Sequence, residues 1–191
     1  MATIEPTAGR AAFPSAPYTV DDLLKFPDDG NRYELFNGSL VVSPAPSLLH
    51  QDVIFFLQTI LHQAAPSHVK VYSTVNVRPS DEDLYIPDLV VVSRANVKST
   101  KVMLAPSDVL LAVEVVSPST KMHDRGTKAV AYAAAGIPLY WRIEPFEGPT
   151  LYVYELDGDS YKEPTAHKAG TIVSLSSPYS VSFDPADLVD D

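Results

Sequence analysis

The 191-residue chain contains no cysteine. That excludes disulfides and thiolate metal sites and is compatible with the reducing cytoplasm. Positive charge is scarce: 14 Lys and Arg against 24 Asp and Glu leave a net charge of −10. A chain with a pI near 4.8 does not grip a nucleic-acid backbone by bulk electrostatics, although a local basic cleft stays open to it. No stretch approaches the roughly 18 apolar residues of a membrane helix, so no membrane association is expected. The opening MATIEPTAGRAAFPSAPYTV lacks a basic start and an apolar core run. A secretory signal is therefore not expected, and a cytoplasmic location is. No Ser-His-Asp order, glycine-rich phosphate loop or zinc spacing stands out, and His62, His68, His123 and His167 show no ligand spacing.

What is present suits one globular domain. Hydrophobic residues make up 46% and charged residues 20%, the proportions of an ordinary packed core. The 17 prolines mostly bracket apolar runs and read as punctuation. Residues 1–17 read as a loose N-terminal arm, 18–187 as one domain, and 188–191 as an acidic tail. The last eight residues, DPADLVDD, hold four aspartates, the mark of a solvated end.

The pattern of elements is legible. A short helix follows Thr19. RYELF and SLVVS flank Asn37-Gly38, the strongest short hairpin signal. Ser47 can cap a helix through residue 65, on which Leu49, Val53, Phe56, Leu57, Ile60 and Ala64 recur at helical spacing. Strands are predicted at 69–77, at 84–93 (entered through Pro87), and at 108–117. A helix over 124–136 ends at Gly136, with Pro138 beyond. The strand LYWRIE, a hairpin around Asp157-Gly158, and one or two edge strands in TIVSLSSPYSVSF complete the chain. The middle reads α-β-β-β-α-β: a mixed sheet with a helix on either side, an α/β (α+β) architecture.

Within LLAVEVVSPST, residues 110–120, one charged residue interrupts a buried-strand pattern. An ionised Glu114 there costs several kcal/mol unless it is paired or bound to a cation. Asp88 opens the preceding apolar run, LVVVS. Adjacent strands would set the two carboxylates close, where they repel unless one is protonated or a cation lies between them. Hard oxygens favour Mg²⁺ or Mn²⁺ over zinc, and the Val115 carbonyl can add a third oxygen. Lys121, Arg125, Lys128 and Tyr132, spaced 4, 3 and 4 apart, share one face of the next helix. A cation from that face beside the acids suits metal-assisted phosphodiester hydrolysis. The plainer readings are a turn cap for Asp88, an ion pair of Glu114 with Lys128 or Arg125, and a surface position for Lys128. His50, in the first turn of its helix, is either a cleft contact or a capping and packing residue. Asp124 suits the N-terminal turn of its helix, and Trp141 is a core or dimer-contact residue.

RYELFNG, SPAPSLLHQ, YIPDLVVV, AVEVVSPST and KAVAYAAAGIPLYW together resemble the Uma2 or DUF820 family, classed with the PD-(D/E)XK restriction endonuclease-like fold. The resemblance spans about residues 20–187. It implies a Mg²⁺-dependent endonuclease acting on DNA, with Asp88 at the "PD" step and Glu114 at the "(D/E)" step. The superfamily's lysine, two residues after the glutamate, is replaced by Val116. The resemblance implies that Lys128 supplies this cation from the following helix, and it makes Glu34 a candidate third acid; alternation in YELF could turn Glu34 either way, and the plainer reading is an exposed hairpin residue. The rival expectation is a catalytically silent protein of the same fold, an oligomerising module for another protein. Alternating tyrosine and aliphatic residues in LYVYEL and YSVSF leave apolar side chains for a partner or a second layer. A homodimer is expected on that ground.

Overall fold

The computed structural model describes residues 17–43, 45–97, 102–117, 126–146 and 148–189. They form α1 (Val20–Leu23), β1 (Arg32–Phe36), β2 (Ser39–Ser43), α2 (Leu48–Ala64), β3 (Val69–Ser73), β4 (Asn76–Val77), β5 (Leu89–Ser93), β6 (Met103–Leu104), β7 (Val109–Val115), α3 (Lys128–Ala134), β8 (Leu139–Glu144), β9 (Thr150–Asp157), β10 (Ser160–Tyr161), β11 (Thr165–Lys168), β12 (Val173–Leu175) and β13 (Val181–Phe183). Lys121, His123, Asp124 and Arg125 lie outside the described residues, as does most of the expected N-terminal arm.

Seven strands form the main sheet in the order β10-β9-β8-β7-β5-β3, with β11 also beside β9. The β7–β8 pair is parallel, while β3–β5, β5–β7 and β8–β9 are antiparallel. Alternation divides the strand side chains between two cores. Leu89, Val91, Leu111 and Val113 face α2, through Val53, Leu57 and Leu61. Val90, Val92, Ala112 and Tyr140 face the other way and pack with Tyr132 of α3. Cover on both faces is why β5 and β7 read as nearly unbroken aliphatic runs.

Local chemistry sets several boundaries. Thr19 and Asp22 form a reciprocal capping box at α1. The Ser47 hydroxyl accepts from the His50 N–H at 3.3 Å, fixing the start of α2. The helix is rotated slightly from the predicted stripe: Ile54 and Leu61 are buried, while Leu49, Phe56 and Ile60 are only partly buried and Ala64 is exposed. The strand expected over 69–77 breaks at Thr74, which takes a left-handed φ of 52°. Past it, β4 leaves the main sheet and pairs with β6 in parallel. The strand expected from 84 begins at Leu89 instead. Pro87 has no N–H to donate to a ladder, and Leu84 and Tyr85 make only isolated bridges, to Leu35 and Val77.

The C-terminal hairpin β12–β13 supplies the second layer. Val173, Tyr179, Val181 and Phe183 join the α2-side core, so the apolar side of YSVSF is covered by the chain itself. Leu188, placed by the sequence in the acidic tail, is fully buried in the same core.

At the tip of β1–β2, Asn37 (φ 49°) and Gly38 (φ 70°) both take positive φ, as a tight hairpin turn demands. A Cβ on Gly38 would stand 2.5 Å from the Cβ of Pro17, and the Gly38 carbonyl accepts from the Tyr18 N–H at 2.9 Å. Gly38→Ala is expected to lower stability by about 1–3 kcal/mol in chemical denaturation. Gly30→Ala, at φ 81° with open space around it, isolates the backbone part of that loss.

Candidate active site

The site lies at the end of β7 and the start of β5. Leu89 stands opposite Val113 and Val90 opposite Ala112. One more step along this register sets Asp88 opposite Glu114, and neighbours so placed hold their Cβ atoms about 5 Å apart. Period-two alternation puts both with Val90 and Ala112, on the face that α3 covers. Both are almost fully buried.

Each carboxylate is held by the chain. Asp88 Oδ1 accepts from Arg32 Nη1 at 2.9 Å. Its Oδ2 accepts from the Val115 N–H at 2.9 Å and lies 3.1 Å from His50 Nε2. Burial alone raises the Asp88 carboxyl. The hydrogen bond from His50, its charge when protonated, the charge of Lys128 and the Val115 N–H outweigh burial and hold it at about 2, below the usual 3.8. Glu114 Oε2 lies 3.0 Å from Lys128 Nζ, and its Oε1 accepts a short hydrogen bond from the Tyr132 hydroxyl. Burial first, then the charges of Glu114 and Glu34, push that hydroxyl well above the ordinary phenol range. Tyr132 therefore stays protonated and donates. Glu34 faces inward from β1: Oε1 accepts from the Ile86 N–H at 2.9 Å, and Oε2 lies 3.5 Å from Lys128 Nζ.

The structure thus brings Glu34, His50, Asp88, Glu114 and Lys128 into one cluster. Lys128 is buried, not a surface lysine, and its ammonium bridges two acids at the start of α3. The sequence did not point to Arg32, and it placed Tyr132 on the helical stripe without a role in the site. Arg32 stands two residues before Glu34, a strand spacing that puts both on one face. Tyr132 is one helical turn from Lys128, on the stripe already singled out. Arg142 pairs with Glu114 in the β7–β8 register. It turns away, to the Tyr154 hydroxyl at 2.5 Å, to Glu144 at 3.2 Å and over the Tyr152 ring at 4.3 Å. Trp141 is fully buried in the core.

Among the described residues, no three His, Cys, Asp or Glu side chains form a ready metal-holding group. The available donors are two opposed carboxylates and the neighbouring Val115 carbonyl. Hard oxygens from one or two carboxylates, completed by water, are the ligand set Mg²⁺ accepts. A carboxylate offers about four lone-pair positions, so Asp88, with three contacts, retains capacity. On donor chemistry the residues fit a hard divalent cation.

The Uma2 family, described as "Putative restriction endonuclease", matches residues 20–186. A solved structure, the crystal structure of "a putative nuclease belonging to DUF820" from Anabaena variabilis, shares the fold. Its TM-score is 0.73 at 17% identity, over 90% of this chain and 97% of that one. No curated protein matches the chain. No helix among the described residues is long and apolar enough to cross a membrane.

Proposed function

The chain belongs to the Uma2 family, and on that premise we propose that it is a metal-dependent endonuclease hydrolysing DNA phosphodiester bonds with Mg²⁺ or Mn²⁺. The observation that carries the reading is Lys128. A buried ammonium reaches over from α3 and meets Glu114 at 3.0 Å, in the acid cluster where the superfamily's own lysine position is Val116.

Asp88, Glu114 and the Val115 carbonyl would hold the divalent ion, which supplies Lewis-acid stabilisation of phosphoryl charge. The chain's own residues do the rest. Tyr132 fixes Glu114 by donating a hydrogen bond to its Oε1. His50 and the Val115 N–H orient Asp88 through Oδ2. Lys128 offers a preorganised positive charge to the phosphate as negative charge develops, in a site with little water to screen it. Glu34 holds Lys128 from the opposite side, which limits the rotamers the ammonium can take.

The test is a nuclease assay with Mg²⁺ and Mn²⁺ on single- and double-stranded DNA, run beside Glu114→Gln. The parent should cleave, and the variant should lose both cleavage and metal binding. A parent inert under every condition, or a variant as active as the parent, overturns the reading. A silent interaction module is the second reading. It is favoured by the pairing of all three acids with Arg32, His50 or Lys128 inside the chain. An inert, metal-free parent would support it.

A further inference from the structure

Resting on the metal-site reading above, we propose that Arg32 is a displaceable counter-ion: it occupies Asp88 Oδ1 in the metal-free protein and gives that oxygen up when a divalent cation binds. The two oxygens of Asp88 are not equivalent. Oδ2 is engaged by the Val115 N–H and by His50 Nε2, one part of a sheet strand, the other buried on a helix. The Val115 N–H cannot leave without disturbing β7, and the His50 ring is held in a buried position. Oδ1 has, among the described residues, the Arg32 guanidinium. An incoming cation therefore meets Arg32 first.

Arg32 is also the partner best able to leave. Its side chain is 25% exposed, against 9% for His50 and 6% for Lys128. It belongs to the β1–β2 hairpin, a separate two-stranded sheet, and its movement needs only side-chain rotation. Its other hydrogen bond, to Thr74 Oγ1, is 3.5 Å long and exposed. Glu34, from the same strand, behaves differently: it is anchored to the Ile86 N–H and buried. A guanidinium and a divalent cation repel strongly when they share one carboxylate oxygen away from bulk water. Exchange removes that repulsion, because the arginine can be rehydrated at the surface. In the metal-free state the same arginine spares Asp88 the cost of an uncompensated buried charge.

The proposal is tested by titrating Mn²⁺ calorimetrically into the parent, Arg32→Met, Glu114→Gln and Arg78→Met. Arg78 pairs with Asp81 and Asp21 and controls for net charge. Arg32→Met should bind roughly three- to tenfold more tightly, the scale of a partly exposed charged hydrogen bond, with Arg78→Met unchanged. In the parent, the Arg32 Nη–H resonances, which report the bond to Asp88 Oδ1, should lose their protection from water exchange on saturation with Mg²⁺. If Arg32→Met does not fold, Arg32→Gln carries the same expectation. Binding that is equal or weaker in the Arg32 variant, while Glu114→Gln abolishes it, overturns the exchange and leaves the metal site standing. A parent that binds no Mn²⁺ overturns both.

Discussion

Lys128→Met is expected to slow DNA cleavage by roughly 10²-fold or more, the scale for losing one preorganised charge stabiliser, while Mn²⁺ affinity is retained or tightened. The ammonium is not a ligand, and removing a positive charge beside a cation site favours the cation. The same substitution should cost about 3–5 kcal/mol of stability in metal-free buffer at neutral pH, because it strands Glu114 and Glu34 as buried acids without their shared cation. Considered alone, a partly buried ammonium suggests the opposite sign, a small gain on removal. The two acids around it reverse that expectation. Combining Lys128→Met with Glu114→Gln should cost less than the two single losses added together, since the pair shares one interaction. Single-turnover cleavage, Mn²⁺ titration and urea denaturation read the three effects separately. A Lys128→Met protein that cleaves as fast as its parent would remove the lysine from the chemistry.

Acid should expose Asp88 in a defined window. Its folded pKa, about 2, lies below the unfolded 3.8. A depressed carboxylate contributes stability that is fully present above the unfolded value and is lost as pH falls through the folded one. The contribution is about 2 kcal/mol for a shift of this size, and it should disappear between about pH 4 and pH 2. Asp88→Asn should be less stable than the parent at neutral pH, with Arg32 and His50 deprived of their carboxylate, and should lack that segment of the acid limb. Denaturation at pH 5, 3.5 and 2 measures both. Parallel stability curves for parent and variant across the window would show that Asp88 is not held ionised by these neighbours.

Glu34 and His50 show where legibility in the sequence ended. Strand alternation allowed Glu34 to face either way, and a histidine in the first helical turn can cap, pack or reach a cleft. Both answers depend on contacts remote in the chain. The Ile86 N–H fixes Glu34 across 52 residues. His50 meets Asp88 because the first turn of α2 lies by the start of β5. The Arg32–Asp88 pair spans 56 residues and leaves no periodic trace. Lys128 was easier to find, because Tyr132 and Lys128 share a helical face whatever the helix packs on.

By itself the sequence determined the hairpin at Asn37-Gly38, the start of α2 at Ser47, the two-sided burial of β5 and β7, and the presence of two acids where apolar residues belong. Those signals act within a few residues: φ sterics, a hydroxyl on a nearby N–H, and the periods of strand and helix. Only the tertiary structure decided the register that sets Asp88 opposite Glu114, the break at Thr74 that sends β4 to another sheet, and the burial of the YSVSF side chains against α2 rather than at a free surface. It also decided which cation neutralises which acid. Such choices follow from packing between distant segments, where a buried charge takes whichever partner the assembled layers bring within about 3 Å.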